Sequence, residues 1–314
     1  MTMRMYIGVT DERWYEFLAR LRPDEVNFWQ PGGRIGFKAL KPGELFLFKL
    51  HSPKNFIVGG GVFLRHAFLP VSLAWQAFAE KNGTPNYYSF RESILRYRKV
   101  DPRTEPDPTV GCIVLSQPFF FSRDQWIPVP SDWSSNIVQG KTYDDDSLIG
   151  RDLRDQVLQR VSHITGVPTT GAGQHELGRE GRYGKEYLVA PRVGQGGFRL
   201  LVTEAYHRRC AITGEKTLPV LDAAHIRPYS LEGPHDVANG LLLRQDVHTL
   251  FDRGYITVNE EFRIEVSRRI KEDYGNGREY YAMHGKPLEI LPDRDAERPS
   301  KDYLLWHNEN VYLA

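Results

Sequence analysis

The stretch RRCAITGEKTLPVLDAAHIRPYSLEGPHDVANGLLLRQDVHTLFDRGYITV, Arg208 to Val258, decides the reading of the second half of the chain. Within it PVLDAAHI reads as a strand ending at His225, and NGLLLR as a second strand starting at Asn239. DVHTLFDRG reads as a short helix with Asp246 as its N-cap and Gly254 as its C-terminal stop, which places His248 in the first turn. The order is strand, loop, strand, helix. A hairpin folded over that helix brings His225, Asn239 and His248 together, although 14 and 9 positions separate them.

Each of these residue types suits the hydrolysis of a phosphodiester, which needs an activated water, neutralised phosphate oxygens and help for the leaving alkoxide. A neutral His225 can take a proton from water. Asn239 can fix the imidazole or its loop without adding charge. His248 can bind a divalent ion through a ring nitrogen, and Asp222 is the candidate oxygen ligand. In an ideal strand Asp222 and His225 point to opposite faces, so this assignment expects a bulge or the strand's end to turn one of them. Arg208, Arg209, Arg227, Arg244 and the run SRRIK at 267–271 read either as a solvated face or as phosphate clamps. Asp252 reads as a packing or capping residue, and His207, His235 and His284 as structural.

The pieces CAITG (210–214), AAHIRP (223–228), NGLLL (239–243) and DVHTLFDRG (246–254) resemble the HNH endonucleases of the ββα-metal class, in order and in approximate spacing. The resemblance implies His225 as general base, Asn239 as an orienting or structural residue and His248 as a ligand to a divalent metal, Mg or Mn. Two departures stand out. Many members carry an acidic residue directly before the first His, where this chain has Ala224, and many carry two CxxC zinc pairs, where this chain has only Cys210. The hairpin is therefore expected to be held by packing, without structural zinc.

Working outward, 314 residues suggest two domains, and 40% hydrophobic, 12% aromatic and 26% charged residues are those of a folded globular chain. A net charge of +1 leaves any polyanion to local basic patches. Two cysteines, Cys112 and Cys210, exclude a disulfide framework and a four-thiolate zinc site. The N-terminus lacks the apolar region of a signal peptide and no run reaches a membrane span, so a reducing cytoplasm is expected.

Strand-like runs at 5–9, 44–50, 56–64 and 111–121 alternate with helical patterns from Asp11, Val71 and Ser89, the last with Ser89 as its cap. The triple glycine Gly59 to Gly61 suggests a bulge or a close backbone approach. FKALKPGELFLFKLHSPKNFIVGGGVF, residues 37–63, resembles the PUA-like superfamily of EVE, ASCH and SRA-type domains, some of which flip a modified base into an aromatic cage. That resemblance implies a bent β-barrel with covering helices and a reader of modified cytosine. Trp29, placed by its neighbours in a polar Pro/Gly loop, is the preferred base-binding aromatic.

The expected architecture is α+β: residues 1–150 a PUA-like reader, 151–195 a helix and Gly-rich linker, 196–314 the HNH domain. The expected function is a metal-dependent, restriction-type endonuclease acting on double-stranded DNA with modified cytosine. Cutting both strands favours a homodimer. Two other readings stand beside it: a DNA-binding or regulatory protein whose HNH fold is not catalytic, motivated by Ala224, and a nuclease for unmodified or structured nucleic acid with the N-terminal half as a clamp.

Overall fold

The computed structural model describes residues 3–99, 101, 103–165 and 193–314. The chain divides into two compact units, Met1–Arg192 and Val193–Ala314, and is mixed α+β. The Gly-rich tract expected as a linker at 167–184 lies outside the described residues.

In the first unit β1 (Arg4–Thr10), β2 (Glu25–Gln30), β3 (Leu45–Leu50), β4 (Phe56–Pro70), β5 (Thr109–Phe120), β6 (Ile127–Pro128) and β7 (Gly140–Asp144) form one sheet. Its order is β2-β5-β4-β3-β1-β7, with β6 beside β4. The alternating Leu and Phe of LFLFKL in β3 explain why both faces are covered. Leu45 and Leu47 enter a core with Met5, Ile7 and Val62, closed by Leu153, Val157 and Val161 of the helix Leu148–Thr165. Phe46, Phe48 and Leu50 enter the opposite core, against Trp14, Tyr15 and Leu18 of the helix Glu12–Leu21. Each such side chain contributes about 1.5–3 kcal/mol on full burial. The helix that follows residue 147, expected at the start of a linking segment, thus completes the N-terminal core.

The barrel expectation is corrected. Among the described residues β2 and β7 end the strand order without pairing to each other, so the sheet is open. Bending is concentrated in β4, where register shifts at Gly60/Val62 and Phe63/Arg65 change its alignment with β5. The glycines permit close approach there: a Cβ on Gly59 would lie 2.2 Å from the Phe119 carbonyl oxygen, and one on Gly60 2.6 Å from that of Phe46. The third helix also starts earlier than expected, at Tyr87, with the Asn86 side chain accepting from the Ser89 N–H at 2.9 Å.

In the second unit β8 (Leu221–His225) and β9 (Gly240–Arg244) form an antiparallel hairpin, followed by the helix Gln245–Asp252. β10 (Ile256–Val258) pairs with β11 (Ile264–Val266), and the helix Lys301–Asn310 closes the chain. Leu241, Leu242 and Leu243 are all buried because β9 has the helices Gln195–Ala205 and Gln245–Asp252 as neighbours. The CAITG turn is tied to this hairpin: Ala211 N–H donates to the Leu242 carbonyl at 2.7 Å, and the Arg244 N–H to Cys210 Sγ at 3.3 Å. The helix begins at Gln245, so Asp246 is not its cap; in the first turn its carboxylate instead binds Arg244 and accepts from Tyr280 Oη at 3.2 Å. Gly254, at φ +74°, ends the helix as expected. Among the described residues no helix is long and apolar enough to cross a membrane.

Candidate active site

β8 pairs with β9 from Leu221↔Arg244 to His225↔Gly240 without a register shift. Of the bulge or strand end expected to turn Asp222 or His225, the bulge is absent, and His225 is the last residue of β8. Asp222 Oδ2 lies 3.6 Å from His248 Nδ1, while Asp252 Oδ2 lies 3.3 Å from His248 Nε2. Two carboxylates thus flank one imidazole. Burial opposes the charged ring, but the hydrogen bonds and charges of Asp222 and Asp252 outweigh it and push His248 up to about 9. Asp252, read from the sequence as packing or capping, belongs to this cluster; the signal was its place four residues after His248, one helical turn on.

His225 ends β8, its ring stacked on Phe198 with centroids 3.9 Å apart and planes 13° from parallel. Its Nε2 lies 2.9 Å from Nδ1 of His235, a residue that reads as structural from the sequence. Burial, with the nearby charges of His235 and His248, lowers His225 to about 4, so the ring is neutral at neutral pH.

Asn239 is fully buried between the two strands. Its Oδ1 accepts from the Arg227 N–H at 2.9 Å, and its Nδ2 donates to the carbonyls of Arg227 and Pro234 at 3.0 and 2.9 Å. The amide clasps the loop between the strands and makes no bond to either site histidine.

The arginines fare differently. Arg244 makes a two-pronged pair with Asp246 at 2.6 and 2.8 Å, and Arg208 pairs with Glu204 at 2.7 Å. Arg209 donates to the Gly214 carbonyl at 3.3 Å, and Arg227 to that of Leu231 at 2.8 Å. Arg199, not singled out from the sequence, brings its guanidinium to 3.4 Å from Asp222 Oδ1.

In the first unit Trp29 is a strand residue, next to last in β2, and half-buried. Its Nε1–H donates to the Asn82 carbonyl at 3.0 Å, and its ring meets Phe90 and Tyr97 edge-on. It nevertheless lines a cavity of about 880 Å³, together with Phe28, Phe37, Tyr97, Gln30 and Asp11.

With this geometry in hand, residues 210–259 match the HNH endonuclease family HNH_2. The chain carries an HNH endonuclease domain and is a nuclease. That segment spans the CAITG turn, the hairpin, the helix and β10, so the cluster described above lies inside it. No curated protein matches the sequence. Among solved structures, a modification-dependent restriction endonuclease, TagI, is similar at 14% identity, over 92% of this chain and 77% of that chain, with a TM-score of 0.29.

HNH endonucleases use a divalent metal ion, and the residues fit one. Among the described residues no three His, Cys, Asp or Glu side chains stand as a ready cage. The available donors are one imidazole nitrogen and one carboxylate, His248 Nδ1 and Asp222, with Asp252 on the far nitrogen where an outer carboxylate orients a ligating histidine. Such an incomplete set suits an ion that keeps water and phosphate oxygens in its shell, as Mg and Mn do.

Proposed function

We propose that this protein is a divalent-metal-dependent DNA endonuclease of restriction type, directed to modified cytosine by its N-terminal unit. The observation that carries the nuclease chemistry is the placement of His225 at the end of β8, the strand whose Asp222 meets His248 of the following helix, with Asp252 on that ring's other nitrogen. His225 takes a proton from water as the water oxygen attacks phosphorus, and the bond from phosphorus to the leaving alkoxide breaks. A divalent ion held by His248 and Asp222 would supply charge neutralisation for the phosphate oxygens and the leaving alkoxide. Arg199 is positioned to share the phosphate charge, and Asn239 holds the loop that follows His225. The two carboxylates on His248 stand in for the acidic residue missing at Ala224, which weakens the case for a non-catalytic fold.

The cavity beside Trp29 supports the reader assignment. It has room for a flipped nucleobase with a substituent, aromatic walls to stack on it, and Gln30 and Asp11 to bond its polar edge. The N-terminal unit is thus read as an open relative of the PUA-like readers, and a homodimer would bring two nuclease sites to the two strands.

Nicking of plasmid DNA with and without Mg or Mn tests the catalytic reading. Metal-dependent nicking by the parent protein, lost in His225→Ala while DNA binding persists, is the expected outcome. Binding without any nicking under these conditions would favour the regulatory reading.

A further inference from the structure

We infer that His235 is a positioning residue for His225, holding that imidazole in the tautomer that leaves Nδ1 free to act as the base. The inference rests on the nuclease reading above and names a residue that no motif or spacing singles out.

The loop from Ile226 to Asn239 carries His235 back onto the strand end. Its return is built in three places. Asn239 Nδ2 donates to the carbonyl of Pro234, the residue before His235. Tyr229 stacks flat on the His235 ring, centroids 4.4 Å apart and planes 7° from parallel. His235 Nδ1 then meets His225 Nε2 at 2.9 Å.

One proton lies between those two nitrogens when both rings are neutral, and its placement decides what His225 can do. If His225 Nε2–H donates to His235, the lone pair of His225 sits on Nδ1. If His235 Nδ1–H donates instead, His225 carries its proton on Nδ1 and has no basic nitrogen to offer. Only the first arrangement serves a general base. No protein group among the described residues hydrogen-bonds His225 Nδ1, and that atom is not among the buried polar atoms lacking a partner, so it reaches solvent. Phe198 covers the ring face and offers no acceptor, which leaves His235 as the acceptor for Nε2–H.

The proton balance is simple. As the water oxygen bonds to phosphorus, the O–H bond breaks and its proton moves to His225 Nδ1. The resulting imidazolium still donates from Nε2 to His235 Nδ1, which stabilises the charge on it without accepting the proton.

Two substitutions separate acceptor from packing. His235→Phe keeps an aromatic ring against Tyr229 and removes the acceptor. His235→Asn offers an amide oxygen near the position of Nδ1. Partners that orient metal-ligating histidines typically cost about 10- to 100-fold when lost, and the same scale is expected for a partner that orients a catalytic imidazole. The turnover of plasmid nicking by His235→Phe is therefore expected to fall by about that factor, with DNA affinity, metal affinity and melting temperature kept, and His235→Asn is expected to recover most of it. In the unsubstituted protein, nitrogen-15 shifts of the His225 ring should show Nε2 protonated and Nδ1 bare. Full turnover in His235→Phe, a parallel loss of DNA affinity, or an Nδ1-protonated His225 would each overturn the inference. His225→Ala, measured alongside, keeps the two readings apart. If it still cuts, the general-base reading fails as well; if it is dead while His235→Phe is fully active, only the role of His235 falls.

Discussion

His225 and Asn239 illustrate two ways in which one side chain can matter to the same reaction. His225 presents a ring nitrogen to solvent, so its loss should raise the chemical barrier without removing phosphate contacts. His225→Ala is expected to abolish cleavage with DNA affinity within a few-fold of the parent, and an equal loss of both would mark it as structural. His248→Ala is expected to lose cleavage together with metal affinity, and unchanged metal binding in calorimetry would remove His248 from the ligand set. Asn239 acts through the backbone. Its removal leaves the Arg227 N–H and the carbonyls of Arg227 and Pro234 without their partner in a partly buried loop, at up to about 1–3 kcal/mol for a group that water does not reach. Asn239→Ala should therefore lower the melting temperature measurably and slow cleavage less than His225→Ala does.

At the scale of elements, the hairpin is held in position by what lies behind it. Gly240 pairs with His225 across the strands, and a Cβ there would fall 2.5 Å from Val202 and 3.0 Å from Phe198, both fully buried. Because Phe198 carries the ring of His225, Gly240→Ala is expected to destabilise by about 1–3 kcal/mol and to reduce turnover, checked by thermal unfolding and nicking rates. Unchanged turnover would show that the stack does not hold the base. The helix Lys301–Asn310 supplies a pH-dependent element. His307 is buried, stacks on Phe251 at 3.9 Å, and is lowered to about 4 chiefly by burial. In the unfolded chain the same ring titrates near about 6.5. Above that value neither state binds the proton and the folded state loses nothing. As pH falls from about 6.5 through about 4 the unfolded state gains protons first, so stability drops, by about 3 kcal/mol at roughly 1.4 kcal/mol per pH unit. Urea unfolding should show a flatter pH dependence over this window for His307→Gln than for the parent protein, and identical curves would refute the assignment.

For the molecule as a whole, selectivity is assigned to one unit and cutting to the other. Comparing DNA that carries cytosine, 5-methylcytosine and 5-hydroxymethylcytosine is expected to show preferential cleavage of a modified form. A pocket that gains one substituent contact can discriminate by about 1–3 kcal/mol, roughly 10- to 200-fold. Trp29→Ala should erase that preference and leave residual metal-dependent cutting, because the nuclease cluster lies in residues 210–259 and Trp29 in β2. Equal cutting of all three DNAs by the unsubstituted protein would move the assignment to a clamp for unmodified nucleic acid.

By itself the sequence determined the strand, loop, strand, helix order around His225, Asn239 and His248, because alternation, turn residues and a glycine stop are local signals lying within about fifty positions. It also showed β1, β3, β4 and β5, whose apolar runs are continuous. It did not show β2, since EVNFWQ places Glu25 and Asn27 on positions that alternation reads as solvent-facing; both are buried, with Lys81 and Asn82 as their partners. Tertiary structure alone decided that the sheet stays open and that the helix Leu148–Thr165 covers its leucine face. It alone brought His235 onto His225, Arg199 onto Asp222 and Asp222 onto the ring of His248. Those pairings depend on the path of a loop and the placement of helices over strands, and hydrophobic periodicity reports which face of an element is buried without reporting which polar group it meets there.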